Sequence, residues 1–213
     1  MSRDPIEEHG GINLNAALLN DPIDLVDPDG YVPQKDGSAV TDSSHVNCAG
    51  GALGDGTYLA PADGSSWKSV ATERGFGDFQ QVKSSKECEA HCGACRDAVI
   101  MYVPQYHDKK DPFNDPYDPK APPGLGYQDI NGDRVYDVHF AKRPAYCGRS
   151  RPEFPWYHIN GAKPRPSSVS PSSYFWPIYD RKTMKPIDPD DFVRKNYNID
   201  KPTSMWCMCK GKQ

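Results

Sequence analysis

The clearest pattern of apolar and polar positions lies near the middle of the chain. A capping-box sequence, Ser-Ser-Lys-Glu, places Ser84 at a helix N-cap and Glu87 at the third helical position. We therefore predict a helix over residues 85–97. Residues 98–103 are all apolar or aromatic and predict a buried strand, which Pro104 ends. This helix and strand are the expected centre of the fold.

Three further elements are predicted in the C-terminal half. Residues 134–140 indicate a strand that follows an acidic loop. Residues 175–187 predict a hairpin, in which two apolar runs are joined by a turn at Arg-Lys-Thr. A short helix is expected over residues 190–197, with Asp188 as its cap. Pro189 then takes the first helical position, where its missing N–H costs no hydrogen bond.

Two proline-broken segments are predicted to be extended arms. Residues 1–47 carry repeated Asp-Pro steps, and their one periodic stretch, residues 12–19, is too short for a stable isolated helix. Residues 106–126 contain a second series of Asp-Pro steps, and the residue before proline avoids the helical region. Because proline also lacks the N–H that a sheet needs, we expect neither arm to join a sheet. Phe113 and Tyr117 would instead anchor the linker to a partner.

These elements define the predicted organisation of the chain. Residues 1–47 form an extended N-terminal arm, and residues 48–147 form a cysteine-containing core that includes the 106–126 linker. Residues 148–213 form an irregular C-terminal region with one hairpin. The predicted fold class is α+β with little regular secondary structure. It combines a small antiparallel sheet, one cysteine-bearing helix and long extended proline-rich arms.

The composition indicates a small core with many rings. Hydrophobic residues make up 37% of the chain and the mean hydropathy is -0.76, while Pro and Gly number 21 and 18. The chain has 12 Tyr, 7 Phe and 4 Trp, whereas disordered segments are poor in aromatic residues. Trp156, Tyr157 and Trp176 lie in aromatic-proline segments that suit a binding platform for a sugar or a protein. The alternative is that these rings pack the loops onto the chain's own core.

Charge and hydropathy disfavour two classes of partner. The net charge is -4 with a pI near 5.8, and Lys and Arg form no long cluster, so nucleic-acid binding is disfavoured. No apolar run approaches the ~20 residues of a membrane-spanning helix, so we expect no membrane insertion.

The N-terminal residues are acidic and show no signal peptide. Seven cysteines nevertheless favour an oxidising compartment or an extracellular setting, so the localisation stays open.

Three cysteines give the predicted helix its chemistry. Cys88, Cys92 and Cys95 have a spacing of i, i+4 and i+7, which places their sulfur atoms on one helical face. They could form disulfides that hold together a fold with a small core. As thiolates they could instead bind zinc, with His91 or His107 as a substitute ligand, or they could be buried free thiols. The other cysteines are Cys48, Cys147, Cys207 and Cys209, and the odd total of seven leaves at least one thiol of the chain unpaired if all bonds are internal.

The cysteine helix and the strand after it also carry a family resemblance. Residues 84–103, with Cys88, Cys92 and Cys95, resemble the centre of a PAN/apple domain. The resemblance implies a helix that is disulfide-bonded to a sheet. It also implies a function in adhesion or carbohydrate binding.

An acidic loop is the second candidate metal site. Asp129, Asn131, Asp133 and Asp137 occupy positions 1, 3, 5 and 9 of the loop, and Val135 would offer its backbone carbonyl at position 7. The sequence resembles the calcium loops of FG-GAP/VCBS propeller repeats and dockerins, which implies that these residues bind calcium. The alternative is a polar hairpin turn built on Asn131 and the glycine after it.

No catalytic constellation is visible in the sequence. The six histidines lie in different segments, and no known catalytic motif joins them, so we lean against an enzyme. The main hypothesis is a non-catalytic structural or accessory subunit that binds other protein subunits of a larger assembly through its arms. The alternative is a secreted or surface module, held by disulfides and binding calcium, that functions in adhesion or carbohydrate binding. The cofactors implied are calcium and, if the cysteines are reduced, zinc.

Overall fold

A computed structural model describes residues 34–43, 45–54, 56–62, 64–103, 111–116, 127–128, 134–135, 138–159, 163–164, 176–180, 182–197 and 204–211. Residues 1–33 of the predicted arm and most of the 106–126 linker, including Tyr117, lie outside these ranges. The four side-chain ligands of the candidate calcium loop and His107 also lie outside them.

The described residues form four helices and thirteen antiparallel strands. The helices are α1 (Cys48–Leu53), α2 (Trp67–Glu73), α3 (Ser85–Cys92) and α4 (Pro189–Tyr197). The strands are β1 (Gln34–Asp36), β2 (Ala39–Asp42), β3 (His45–Val46), β4 (Tyr58–Pro61), β5 (Phe76–Gln81), β6 (Ala98–Val103), β7 (Tyr127–Gln128), β8 (Arg134–Val135), β9 (His139–Arg143), β10 (Tyr157–His158), β11 (Lys163–Pro164), β12 (Trp176–Pro177) and β13 (Ser204–Lys210). The predicted α+β class is therefore confirmed. Each helix of the described segments is too short or too polar to span a lipid bilayer.

The largest described sheet is antiparallel and has the strand order β12-β10-β9-β6-β13-β5. Strand β6 matches the bounds predicted from the apolar run at residues 98–103 and pairs with β9 on one side and β13 on the other. All of its residues are buried, because both faces of the sheet are covered at this strand. The strand predicted at residues 134–140 is instead divided between β8 and β9.

Side chains of β6 alternate between two hydrophobic clusters, one on each face of the sheet. Val99 and Met101 belong to a cluster with residues of α1 and α2. Ile100 and Tyr102 belong to a cluster with Cys88 of α3 and residues of α4. The second face therefore carries both the cysteine-bearing helix and the helix near the C-terminal hairpin.

Residues 34–46 belong to the folded unit, which corrects the expectation that the N-terminal arm joins no sheet. Strand β2 pairs with β1 and β4, and β3 pairs with β11. This stretch contains no proline, so its N–H groups are available to the sheets. Gly37, with a φ of 60°, makes the turn between β1 and β2. The next N–H, from Ser38, donates to the carboxylate of Glu73 at 2.9 Å.

Helix α3 begins where the capping box predicts but is shorter than expected. The Ser84 hydroxyl accepts a backbone N–H of the first turn at 3.2 Å, which confirms the predicted cap. The helix ends at Cys92 instead of residue 97, because Gly93 adopts a left-handed φ of 69°. Cys95 therefore lies in the turn after the helix and not on its face.

The C-terminal region is more regular than predicted. Residues 148–213 contain β13, which lies between β5 and β6 in the main sheet. The predicted hairpin is present, with a bridge between Tyr179 and Pro186. Helix α4 is confirmed together with its cap, since Asp188 Oδ1 accepts the N–H of Asp190 at 3.0 Å.

Candidate functional site

Two disulfides join helix α3 to strand β13. They are Cys88–Cys207 and Cys92–Cys209, with Cα–Cα distances of 5.4 and 5.3 Å. Residues one helical turn apart lie on one face of α3, and alternate residues of β13 lie on one face of its strand. The two spacings match, so the side chains meet as two neighbouring bridges. Both bridges lie in the hydrophobic cluster beneath the helix.

A third disulfide, Cys95–Cys147, holds the turn that follows α3. Arg143 of β9 is fully buried next to this turn, and its guanidinium donates to two carbonyls there at 2.6 and 3.0 Å. Cys48 is not in a disulfide, and its Sγ lies 3.8 Å from the carbonyl oxygen of Val138. The structure thus brings together as disulfides all the cysteines that the sequence singles out, except Cys48.

Two groups of side chains in the described segments have metal-ligand geometry. In each group, one ligand atom per residue lies within 4.8 Å of the others. The first group consists of buried sulfur atoms, and the second includes an imidazole and a carboxylate nearer the surface. Their members are Cys88, Cys92 and Cys207, and Asp78, His91 and Cys209. A metal ion could bind the sulfur atoms only after the disulfides are reduced.

A network of carboxylates and hydroxyls connects α4 to α3 and β6. The Asp190 carboxylate accepts the Ser85 N–H at 2.9 Å and the Tyr102 hydroxyl at 2.7 Å. Asp188 Oδ1 accepts the Ser85 hydroxyl at 2.7 Å. Burial raises the pKa of Asp190, and burial together with the Asp190 charge raises the pKa of Tyr102. These bonds fix the position of α4, which forms one wall of a surface groove.

The groove has a volume of about 680 Å³ and lies between α4 and the hairpin that begins at β12. Trp176 and Tyr179 contribute rings from the hairpin, and Phe192 contributes a ring from α4. Lys195 and Asn196 add polar groups from the same helix. The groove therefore presents both flat apolar surfaces and hydrogen-bonding groups, as ligand sites do.

The polar rim of the groove is organised around Asp180. Its Oδ2 lies 3.0 Å from Lys195 Nζ, and its Oδ1 accepts the backbone N–H groups of Lys182 and Thr183 at 2.9 and 3.1 Å. The hydrogen bond from Lys195, with those from the two backbone groups, lowers the pKa of Asp180 to about 2. Its carboxylate is therefore ionised at neutral pH.

Aromatic rings form the inner side of the groove. The His158 ring lies 4.3 Å from that of Phe192, and the His139 ring lies 5.2 Å from that of His158. Burial, with a smaller effect from His158, lowers the pKa of His139 to about 3. His139 is thus neutral near pH 7. The groove combines an aromatic interior with a charged rim.

Phe113, which the sequence assigns as an anchor for a partner, instead packs into this chain's own core. It is 1% exposed and stacks on Trp206 with ring centroids 4.7 Å apart. Its carbonyl oxygen accepts the N–H of Lys68 from α2. Residues 111–116 are therefore part of the folded unit, because their aromatic ring fills a gap between α2 and β13.

The residues of the predicted aromatic platform have different surroundings. Trp156 is 3% exposed, and its indole N–H donates to Glu89 Oε1 at 2.8 Å. Tyr157 is half-buried in β10. Trp176 alone of the three is strongly exposed and lies at the groove. The alternative of packing onto the chain's own core therefore holds for Trp156.

Sequence reasoning missed the residues that α4 contributes to the groove. Phe192, Lys195 and Asn196 have a spacing of i, i+3 and i+4, which indicates one face of the predicted helix. This signal could have identified them as a group. No local signal links that face to the hairpin, since the two elements meet only through tertiary packing.

Comparison with known proteins yields no matching protein family, no similar curated protein and no similar solved structure. A functional assignment therefore rests on the geometry of the site.

Proposed function

We propose that this chain is a non-catalytic binding module, held by disulfides, and that it binds a carbohydrate in the groove between α4 and the β12 hairpin. The observation that carries the proposal is the exposure of Trp176, a residue that lines the groove and is 54% exposed. A ligand that covers this ring removes apolar surface from water. The apolar face of a sugar ring suits such contact, and its hydroxyls suit the rim groups of Asp180 and Asn196.

The disulfide arrangement supports the same class of protein. Helix α3 is bonded twice to the sheet through β13, which agrees with what the PAN/apple resemblance implies. That resemblance implies adhesion or carbohydrate binding. Disulfides of this kind persist in oxidising compartments, so we propose that the module is secreted or displayed at a surface.

Substitution of Trp176 tests the proposal. The full chain, with its disulfides intact, is screened against immobilised neutral and acidic oligosaccharides, and the best binder is titrated by calorimetry. Trp176→Ala should weaken binding about tenfold or more, since loss of about 1.4 kcal/mol of ring contact has that effect.

Met184 offers a matched control because it is 64% exposed on the same hairpin but does not line the groove. Met184→Ala should bind as the wild type does. If the folded wild type binds no oligosaccharide, or if both variants bind equally, the groove is not a carbohydrate site.

A structural or accessory subunit of a larger assembly is the second candidate. Residues 1–33 carry three Asp-Pro steps, which deny them long helices, and such a segment is suited to ordering on a partner. Residues 117–126 are broken in a similar way by Pro119, Pro122 and Pro123. The folded positions of β1–β3 and Phe113 remove residues 34–46 and 111–116 from this hypothesis.

Calcium binding is proposed for the loop between β7 and β8. Tyr127 pairs with Val135, and Gln128 pairs with Arg134, so residues 129–133 connect two antiparallel strands. The pairing brings the ends of the acidic sequence together, as either a calcium loop or a hairpin turn requires. The acidic composition of the connection favours the calcium alternative.

A further inference from the structure

We infer that the two disulfides between α3 and β13 have a second chemical state, in which their four reduced cysteines hold a zinc ion. The ligands are Cys88, Cys92, Cys207 and Cys209. The inference is independent of the carbohydrate proposal, because it concerns the opposite state of the cysteines and not the groove.

The sulfur atoms already lie at nearly the separation that zinc requires. Zn–S bonds of about 2.3 Å in a tetrahedral site place neighbouring sulfurs roughly 3.8 Å apart. The Sγ atoms of Cys92 and Cys207 belong to different disulfides and are 3.6 Å apart. Together with the Sγ of Cys88 they lie within 4.8 Å of one another. The Cys209 sulfur is bonded to that of Cys92 but lies outside this group of three, so as the fourth ligand it has to rotate toward the ion after reduction.

The backbone holds the four ligands in place before any metal arrives. Cys88 and Cys92 are one turn apart on α3, whose ends are fixed by the Ser84 cap and by Gly93. Strand β13 is paired on both sides in the main sheet. Because hydrogen-bonded elements supply the ligands, reduction of the two S–S bonds changes side chains without requiring a change in the fold.

Burial makes a cation necessary once the cysteines are thiolates. The exposed fractions of all four residues are 4% or less. Buried thiolates without a counter-charge are strongly unfavourable, and the thiols alone would no longer link α3 to the sheet. A tetrathiolate zinc site neutralises the charge and restores the link, since structural zinc contributes directly to folding stability.

The reduction step is balanced by a phosphine reductant. Each disulfide loses its S–S bond and takes up two electrons and two protons, while the phosphine becomes a phosphine oxide with oxygen from water. Two disulfides thus give four thiols. Binding of Zn²⁺ by four thiolates then releases four protons, so binding weakens as the pH falls.

The test uses the full chain, which is reduced with a phosphine under an oxygen-free atmosphere. The reduced chain is mixed with one equivalent of Zn²⁺ and then desalted. We expect one zinc per chain by elemental analysis and a near-ultraviolet circular dichroism spectrum of a folded protein. Co²⁺ in place of Zn²⁺ should show the visible absorption of a tetrahedral tetrathiolate site. The unreduced protein should retain no zinc.

Matched double variants separate this site from the other thiols. Cys88→Ser with Cys207→Ser should lose the bound zinc, whereas Cys95→Ser with Cys147→Ser, which removes the third disulfide, should keep it. Since the first pair could fail to fold, Cys209→Ser provides a milder change. In competition with a chelator it should weaken zinc binding about tenfold or more, and Cys147→Ser should not.

Three results would overturn the inference. One is a reduced wild type that carries no zinc after desalting. Another is a reduced chain that stays unfolded when zinc is present. The third is equal zinc content in the two double variants, which would show that the metal binds thiols regardless of their place in the fold.

Discussion

His139 lies behind the groove, and its buried ring couples the stability of the protein to pH. Burial, with a smaller effect from His158, lowers its pKa from 6.5 to about 3. Between these values the unfolded chain binds a proton that the folded protein does not. The free energy of unfolding therefore decreases as the pH falls through this window, by about 1.4 kcal/mol per pH unit.

Urea unfolding between about pH 7 and about pH 4 measures this effect. The wild type should lose stability progressively on acidification, and His139→Gln should lose less over the same range because the glutamine does not titrate. His91→Gln, at a partly exposed histidine, should keep the wild-type slope because His139 is still present. An unchanged slope in His139→Gln would show that another group causes the acid sensitivity.

Individual residues show where local sequence stops being informative. Trp156 and Trp176 lie in similar aromatic-proline segments, yet their exposed fractions are 3% and 54%. The difference in exposure depends on which parts of the fold cover each ring, and the local sequence does not indicate this. Asp188 was predicted as a helix cap, which is local, but its bond to the Ser85 hydroxyl joins residues 103 positions apart.

Among the elements, α3 depends on a single glycine at its C-terminal end. Gly93 has a φ of 69°, and a Cβ at this position would meet no atom within 4 Å. The effect of Gly93→Ala is therefore a backbone effect alone, and we expect a loss of about 1 kcal/mol in the free energy of unfolding. Chemical denaturation measures this loss directly.

Gly77 of β5 is the matched control, since it also has open space around it but no left-handed φ. Gly77→Ala should change the stability by less than about 0.5 kcal/mol, or raise it slightly. If both substitutions have the same effect, the left-handed end of α3 contributes nothing specific.

The β7–β8 hairpin gives a prediction for calcium. Because a ligand that binds only the folded state stabilises it, millimolar Ca²⁺ should raise the melting temperature of the wild type. Asp129→Asn with Asp133→Asn should abolish the rise, and Mg²⁺ should produce less effect since it prefers a smaller octahedral site. No rise in the wild type would leave the polar hairpin turn as the correct interpretation.

Elements with strong local signals were predicted well, and elements that depend on tertiary packing were not. Strand β6 and helix α4 have a continuous apolar run and a Pro-initiated cap, respectively. Helix α1 contains two glycines, which disfavour a helix by propensity. At Gly50 any side chain would collide with the backbone carbonyl of Thr57, so packing selects the glycine. Strand β13 is rich in Met and Cys, which are weak strand signals.

At the scale of the whole molecule, the subunit hypothesis predicts an uneven response to protease. Brief digestion of the isolated chain should cut first within residues 1–33 and 117–126, while residues 64–103 and 138–159 survive. The two protected ranges contain strands β5, β6 and β9. The disulfide Cys95–Cys147 joins one range to the other. Mass spectrometry of the fragments identifies the cuts. Equal protection of both arms in a protein shown to be monomeric would contradict a partner-binding function for them.

Strand β13 also determines when this molecule can complete its fold during synthesis. Its cysteines pair with residues 119 and 117 positions earlier in the chain. At a translation rate of about 5–20 residues per second, the cysteines of β13 leave the ribosome roughly 6–24 seconds after their partners in α3. During that interval β6 lacks its neighbour β13, and Cys88 and Cys92 can pair prematurely with Cys95. Any early disulfide with Cys95 has to be exchanged before the native pairs can form, so we expect the yield of native protein to rise when a thiol isomerase is added to the oxidant.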